Sequence, residues 1–216
     1  MGDRADILGV DPELFRAWVA ARSLSRGVPA PVADHGGWRV DTGSDREHCR
    51  YFFAAPDAGL MALGEAIDRP RIFLKLCGDV AALKRLLPPR WRVEATGYFM
   101  VGSGAPALPV AIPRGYALDR EARGAVSHVR ILAPDGALAA SGHAAEHGGV
   151  FAYDRIVTEE GHRRRGLGRA VMAALGAMRR SPAVPVLVAS HAGHALYSAL
   201  GWTTLRPYST AEVQEG

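Results

Sequence analysis

The sequence predicts an α/β fold in which a mixed, mostly antiparallel sheet is flanked by helices. Residues 71 to 101 have the pattern of strand, helix and strand. Residues 127 to 158 contain three consecutive strands separated by an Asp-Gly and a Gly-Gly turn. Strands joined by such tight turns are antiparallel neighbours. With 216 residues, of which 48% are apolar and 22% charged, the chain can bury a large core.

The first half of the chain predicts helices and strands in alternation. In order, we expect a helix at Phe15 to Arg22 with Asp11 and Pro12 at its start, a strand at 38–40, helices at 45–54 and 59–67, a strand at 71–78, a helix at 79–88 capped by Asp79, and a strand at 91–101. A stretch rich in proline, glycine and alanine follows at 103–115, and its composition predicts a semi-extended linker.

The second half begins with the three antiparallel strands. We expect strands at 127–134, 137–147 and 150–158, a helix at 167–178, a buried strand at 184–189, a helix at 192–200 and a final strand after Trp202. The prediction therefore divides the chain into an N-terminal half at 1–102, the linker at 103–115, and a C-terminal half at 116–216.

Composition and termini exclude several classes of protein. Asp3 and Asp6 interrupt the apolar core that a secretory signal needs, and glycines and prolines break the uncharged run at 95–113, so we expect a cytoplasmic protein without a membrane segment. Cys49 and Cys77 are too few for a disulfide framework or a metal site. The net charge of +4 is spread along the chain and selects no partner.

The stretch HRRRGLG at 162–168 joins a predicted strand to a predicted helix. Gly166 and Gly168 allow an anion to approach the unpaired amides of a helix N-terminus, and four arginines add positive charge, at positions 163, 164, 165 and 169. The stretch lacks the Gly-Lys-Ser/Thr of a P-loop, and Val171 stands where a dinucleotide fingerprint has its third glycine. A diphosphate site is favoured over a nucleic-acid patch or a solvated turn.

This stretch resembles the R/Q-x-x-G-x-G/A motif of the GNAT superfamily of acyl-CoA-dependent N-acetyltransferases. In ALYSALGW, Tyr197 and Gly201-Trp202 are similar to a second segment of that family, L-Y-x-x-x-G-[FW]. The two motifs occur in the family's order, with the strand at 184–189 between them. The resemblance covers about residues 116 to 210 and implies the GNAT fold, with acetyl-CoA as cosubstrate and no metal.

The resemblance implies a set of cofactor-binding residues. The amides from Arg164 to Ala170 would hold the pyrophosphate, and the strand at 156–158 would pair with the pantetheine arm and polarise the acetyl carbonyl. Ser190 stands where the family often has asparagine against pantetheine, and Gly193 replaces a common alanine. The expected cofactor residues are Ile156, Val157, Thr158, Arg163, Arg164, Arg165, Gly166, Leu167, Gly168, Arg169, Ala170 and Ser190.

The resemblance also implies catalytic residues, with unequal support. Tyr197 would protonate the leaving thiolate. An amine acceptor must lose a proton, and the first candidate for the base is Asp154, which shares a strand face with Thr158. Glu146 is the second candidate, and His143 and His147 are alternatives. Asp154 could instead form a salt bridge with a nearby arginine.

The chain departs from the family before its second strand, where the two helices of the acceptor side are missing. We expect the N-terminal half to supply them. Residues 72–100 parallel residues 186–210, with Trp91 corresponding to Trp202 and Lys84 standing where Tyr197 would be, so that half is a candidate for a degenerate GNAT-like repeat without a phosphate loop.

Three functions remain open at this point. The leading one is an N-acetyltransferase that acts on a primary amine of a small molecule or a protein, as a monomer or a homodimer. The second is a non-catalytic acyl-CoA-binding or regulatory protein. A nucleic-acid-binding module is disfavoured, because the basic run has no interleaved aromatic residues.

Overall fold

The computed structural model describes residues 10–104 and 111–213, which form one sheet of eleven strands with helices on both faces. The strands are β1 (Val32–Asp34), β2 (Gly37–Ser44), β3 (Glu47–Phe53), β4 (Ile72–Leu76), β5 (Trp91–Val101), β6 (Ala117–Arg123), β7 (Val126–Leu132), β8 (Leu138–His147), β9 (Val150–Thr158), β10 (Val184–Ala189) and β11 (Thr203–Val213). The helices are α1 (Pro12–Arg26), α2 (Ala58–Ala66), α3 (Val80–Leu86), α4 (Leu167–Gly176) and α5 (His191–Ala199). None of the described helices is both long and apolar enough to cross a membrane.

The elements occur in two runs with the same order. The first run is β1-β2-β3-α2-β4-α3-β5, and the second is β7-β8-β9-α4-β10-α5-β11. Helix α1 and strand β6 lie outside this repeat. In both runs the second and third strands are antiparallel, and the third and fourth are parallel.

The two runs exchange their last strands. The sheet order is β1-β2-β3-β4-β11-β5-β10-β9-β8-β7-β6, so β11 of the second run lies beside β4, and β5 of the first run lies beside β10. Both of these pairs are antiparallel, as is the long central pair of β5 and β11. Each run therefore completes the sheet of the other.

Alternate residues of the central strands face different helices. Phe99 on β5 packs against Trp18 of α1, with ring centroids 5.1 Å apart, in a cluster that also contains Phe52 and Tyr208. The next residue, Met100, faces the opposite side and packs with residues of α4 and α5. Helices α2 and α3 cover β4 on that second side, where Leu74 is buried. Helix α1, from the first half of the chain, covers the side of the sheet that Phe99 faces, and it packs on β8 and β9 of the second half.

Most predicted elements are confirmed, and one is wrong. Residues 45–54 were expected to be helical, but residues 47–53 form β3, between β2 and β4. Five consecutive residues of β3, from Cys49 to Phe53, are buried. A strand covered on both faces lacks the alternation of polar and apolar residues that marks a strand. Strands β1 and β6 were not predicted.

The predicted linker at 103–115 is described only in part. Its residues 105–110 lie outside the described residues, and the remaining ones contain no helix or strand. Residues 1–9, which carried the expectation about a secretory signal, and residues 214–216 also lie outside them.

Candidate functional site

Strands β9 and β10 separate partway along their length. They pair in parallel over three positions, the last of which joins Ala152 to Val186. Beyond that point β10 continues to pair with β5, and β9 continues to pair with β8, but no pairing between β9 and β10 is found in the described chain. We call this opening the split. Its β9 edge comprises residues 153–158, whose backbone groups on that side are free to pair with an extended ligand.

A β-bulge deforms β9 inside the split. The register with β8 shifts between Ser141 and His143, so Arg155 and Ile156 together oppose Gly142. Arg155 has a φ of +51°, which is rare for a residue with a side chain. A bulge reorients the backbone groups next to it, which is how a strand can direct an amide at a reacting atom. A Cβ on Gly142 would lie 2.5 Å from the Ile156 side chain, so the glycine allows Ile156 to pack there.

Helix α4 begins at the mouth of the split with an open N-terminus. Its N-cap is Gly166, with a φ of +80° and no side-chain cap. The other four described helices are capped by the side chains of Asp11, Asp57, Asp79 and Ser190. At α2, the counterpart of α4 in the first run, the Asp57 carboxylate accepts a hydrogen bond of 2.7 Å from the amide of Gly59. A carboxylate therefore already occupies that helix end, whereas the end of α4 is free.

The amides at the start of α4, where the phosphate site is predicted, lack an acceptor among the described residues, with one exception. In the described ranges, the amides of residues 164–169 have neither a backbone nor a side-chain acceptor. The amide of Ala170 donates a hydrogen bond of 3.1 Å to the carbonyl oxygen of Gly166, the first bond of the helix. The prediction that Ala170 offers its amide to a pyrophosphate is therefore corrected. The buried side chain of Leu167 anchors this turn in the core.

The arginines around the loop at 163–168, which we call the glycine loop, are exposed. No salt bridge is found between a described carboxylate and Arg163, Arg164, Arg165 or Arg169. Sequence reasoning missed Tyr116, whose hydroxyl lies 2.8 Å from Nδ1 of His162 and accepts a hydrogen bond of 3.2 Å from Arg165. Tyr116, the residue before β6, therefore contacts the loop across the structure, and no local pattern links the two segments.

Tyr197 lies on α5, beside the end of β10. Its ring packs back over the first turn of α5, because a Cβ on Gly193 would lie 3.0 Å from the ring. This contact explains the glycine at 193. The ring centroid is 6.2 Å from that of Trp202, which in turn contacts Tyr153 of β9. Burial raises the pKa of the Tyr197 phenol to about 12, so the group is a proton donor at neutral pH.

Asp154 is held in an ion-pair cluster. Arg26 donates two hydrogen bonds of 2.7 Å to its carboxylate, and Ser25 donates one of 3.1 Å. Burial alone would raise the pKa of Asp154, but the hydrogen bonds from Arg26 and the charges of Arg22 and Arg155 outweigh burial, and the pKa is lowered. Because a base needs a free lone pair and a pKa near the working pH, this geometry favours the salt bridge over the predicted catalytic role.

Glu146 lies at the other end of β8 from the glycine loop. It pairs with Phe151, whereas Ala140 pairs with Thr158 at the loop, so about 20 Å of strand separates Glu146 from that end of the split. Its carboxylate accepts hydrogen bonds from the amide of Arg180 and the hydroxyl of Ser181. The structure therefore does not bring Glu146 together with Tyr197 and the bulge, and its geometry counts against a role as base.

The two histidine alternatives differ in position. His143 pairs with Asp154 beside the bulge and stacks on His128, with ring centroids 4.0 Å apart. Burial, with the charges of Arg155 and His128, lowers the pKa of His143 to about 4, so the imidazole is neutral but a weak base. His147 is exposed at the far end of β8, beside the turn into β9.

The residues predicted to contact pantetheine line the two sides of the split. Ile156 and Thr158 face α4, and a Cβ on Gly168 would lie 3.5 Å from the Thr158 hydroxyl. Val157 faces the other way and is 46% exposed, which is unusual for a strand residue inside a sheet. Ser190 caps α5 by accepting a hydrogen bond of 3.2 Å from the amide of Gly193, which leaves its hydroxyl hydrogen available to a ligand.

Comparisons with known proteins agree with this architecture. No protein-family model and no curated protein matches the sequence. Among solved structures, a GCN5-related N-acetyltransferase from Kribbella flavida is similar over 97% of both chains, with a TM-score of 0.65 and 15% identity. One from Sphaerobacter thermophilus has a TM-score of 0.58 and 11% identity over 95% of this chain and 93% of its own. A GCN5-related N-acetyltransferase-like protein from Streptococcus suis has a TM-score of 0.58 and 14% identity over 87% and 89%. Since these likenesses extend over both halves, the chain as a whole has the fold of the GCN5-related N-acetyltransferases, the GNAT fold.

Proposed function

We propose that this protein is an N-acetyltransferase that binds acetyl-CoA in the split and transfers the acetyl group to a primary amine. The observation that carries the proposal is the junction of three features at one place: the unpaired edge of β9, the bulge at Arg155 and Ile156, and the uncapped start of α4. An extended thioester with a diphosphate at one end matches all three, because it needs a strand edge, an amide for its carbonyl and a helix N-terminus for its phosphates.

Different parts of the site would hold the pyrophosphate, the pantetheine arm and the acetyl group of acetyl-CoA. Amides of residues 164–169 hold the pyrophosphate, and the arginines of the glycine loop add charge. The β9 edge aligns the pantetheine arm, and an amide near Ile156 stabilises negative charge on the acetyl oxygen. Acetyl-CoA supplies the activated acyl group.

The transfer itself is a direct attack. The amine nitrogen bonds to the acetyl carbon, the carbon–sulfur bond breaks, and Tyr197 donates its proton to the departing thiolate. The attacking nitrogen loses its proton to water, because Asp154 is engaged by Arg26 and Glu146 is remote, and water returns a proton to the Tyr197 phenolate.

The N-terminal half serves as a degenerate counterpart in this proposal. Strands β3 and β4 pair over five consecutive positions, so the opening that separates β9 from β10 has no equivalent there. Asp57 also fills the helix end that corresponds to the start of α4. We therefore infer one acetyl-CoA site per chain, with the first half as support and as one wall of the acceptor site.

A non-catalytic acyl-CoA-binding protein is the second candidate, and the engagement of Asp154 favours it. Thermal denaturation with and without acetyl-CoA tests binding, which both candidates require. Release of free thiol in the presence of an amine panel tests catalysis. Stabilisation with acceptor-dependent thiol release supports the transferase, stabilisation alone supports the second candidate, and no stabilisation contradicts both. A calorimetric stoichiometry of two would contradict the single site.

A further inference from the structure

A cavity of about 360 Å³ lies on the α1 side of the sheet, over the strands that the two runs exchange. Its floor comes from β4, β11, β5 and β10, and Arg22 of α1 forms part of its wall. Lys75, Tyr208 and Thr210 line its centre, and Val188 lines the side nearest the split. We refer to it as the exchange cavity.

Lys75 in this cavity has only neutral contacts. Its ammonium donates a hydrogen bond of 3.3 Å to the hydroxyl of Thr210 and lies 5.3 Å from the centre of the Phe73 ring. The Thr210 hydroxyl is in turn 3.0 Å from that of Thr96. In residues 10–104 and 111–213, no carboxylate lies within salt-bridge distance of Lys75. A half-buried ammonium without an anionic partner is costly unless a ligand provides one.

The charges around Lys75 do not supply the missing anion. Burial and the positive charges of Arg22, Arg50 and Arg26 lower the pKa of Lys75. The negative charge of Glu47 raises this pKa. Glu47 is bonded to Arg50, and Asp154 accepts its closest hydrogen bonds from Arg26. Arg22 approaches Asp154 only to 3.9 Å.

These neighbours change the protonation of the lysine. Burial, with the positive charges of Arg22 and Arg50, lowers the pKa of Lys75 to about 7. The cavity wall also carries Arg92, which lies 3.4 Å from Glu94 and 3.8 Å from Glu212. These three charges sum to about −1, so the positive charge of the cavity is concentrated at Arg22 and Lys75. An anion bound there would oppose the effect of the positive charges and raise the pKa of Lys75.

The exchange cavity lies at the end of the sheet where the split opens. Val188 comes two residues after Val186, the last residue of β10 that pairs with β9. Arg22 connects the two places, since it lines the cavity and approaches Asp154 on β9. Lys75 on β4 is three strands from β10, about 14 Å across the sheet. Its row crosses β5 at Glu94, five residues from Phe99, the partner of Val188, which adds about 17 Å along the strand and makes the separation about 22 Å.

We propose that the exchange cavity binds an acid group of the acceptor, so that the acceptor is an extended amine with a carboxylate or a phosphate at its far end. This inference rests on the proposed acetyltransferase function and adds the class of acceptor. The amine reaches the split, while Lys75 and Arg22 hold the anion. At about 3.3 to 3.6 Å per residue, a span of about 22 Å corresponds to a peptide of about six residues, and a tetrapeptide is long enough to probe the acid end of this path.

The two lysines of the sequence, Lys75 and Lys84, allow a direct test. The protein is treated at pH 7 with an amine-acylating reagent, and mass spectrometry measures the rate at which each lysine is labelled. The reaction is run without a ligand, with tetraglycine, with tetraglycine amide and with inorganic phosphate, all at the same ionic strength. An anion that raises the pKa of Lys75 by one unit lowers its reactive fraction about fivefold. Lys84 is exposed on α3 and serves as the internal control.

We expect tetraglycine to slow labelling of Lys75 about fivefold and its amide to have no effect, with Lys84 unchanged throughout. Protection by phosphate alone assigns the site to a phosphorylated acceptor. Equal effects of the acid and the amide, no protection by any anion, or a Lys75 that stays unlabelled even at pH 9 would overturn the inference.

Calorimetry on variants separates this inference from the proposed function. In Lys75→Met, the affinity for tetraglycine is expected to fall about tenfold, to that of the amide, whereas Lys84→Met should bind as the original protein does. Binding of coenzyme A is measured on the same samples. If coenzyme A binds but Lys75→Met does not change the affinity for the peptide, only the inferred class of acceptor is overturned. If peptide binding depends on Lys75 but coenzyme A does not bind, the proposed function is overturned and the cavity is an anion site only.

Discussion

Arg26 of α1 and Asp154 of β9 form a two-pronged ion pair, with Nε and Nη2 each 2.7 Å from a carboxylate oxygen. The two residues are 128 positions apart, and the pair fixes the N-terminal helix to the strand that borders the split. Helix α1 of the first half therefore packs on the second half, and whether it forms the acceptor side stays a prediction. The pair also gives Asp154 a structural role, and this role can be separated experimentally from catalysis.

Asp154→Asn should destabilise the protein without abolishing transfer. The Asp154 side chain is only 10% exposed, and removal of its charge leaves Arg26 and Arg22 without a near anion. Breaking a buried pair of this kind costs about 3 kcal/mol. Urea unfolding measures the free energy of unfolding, and the rate per folded molecule is measured at low temperature. A rate loss of a hundredfold or more at unchanged stability would identify Asp154 as the base instead.

The same pair predicts how stability depends on acid. The pKa of Asp154 is lower in the folded protein than the value of about 3.9 expected in the unfolded chain. Its contribution is therefore complete above about pH 4 and is lost as the pH falls through the lower, folded pKa. Thermal denaturation of the original protein and of Asp154→Asn should converge as the pH falls from 5 to 2. A constant difference between them would show that Asp154 does not carry this dependence.

The glycine loop can be tested with a matched pair of glycines. Gly166 and Gly149 have φ values of +80° and +77°, and a Cβ on either would meet nothing within 4 Å. Alanine at either position should cost about 1 to 2 kcal/mol of stability through backbone strain. Only Gly166→Ala should also weaken acetyl-CoA binding, by about tenfold, because it disturbs the amides that we propose hold the phosphates. Calorimetry gives both affinities, and equal losses would contradict the loop as the phosphate site.

The sequence predicts local structure well and long-range pairing poorly. The strands at 91–101 and 150–158 have the predicted bounds, because turns and apolar patterns delimit them. The uncapped start of α4 follows from the glycines of the loop. No local sequence pattern predicts the exchange of β5 and β11, because hydrophobic periodicity does not specify which strands pair with each other. For the same reason sequence reasoning could not anticipate that Lys75, singled out by no motif, would line a cavity with Arg22.

Tyr197→Phe should slow turnover by about a hundredfold while acetyl-CoA affinity stays within twofold. The ring packs on Trp202 and over Gly193, and phenylalanine retains both contacts. Only the proton donor is lost. Stopped assays of thiol release give kcat, and calorimetry gives the affinity. A large loss of affinity would mean that the hydroxyl binds the cofactor, and an unchanged kcat would mean that water protonates the thiolate.

The rising limb of the pH dependence of kcat/KM should follow the acceptor amine and not a base on the enzyme. Of the candidate bases, Asp154 is ion-paired with a lowered pKa, Glu146 is remote, and the pKa of His143 is about 4. Because Asp154 and His143 lose their protons below pH 6 and Glu146 is out of reach, proton loss from the amine should limit kcat/KM on the acid side. With two acceptors whose amine pKa values differ by about two units, the rising limb of kcat/KM should shift by the same amount. A limb that stays at one pH for both acceptors would instead reveal a base on the protein, and its position would identify the group to mutate.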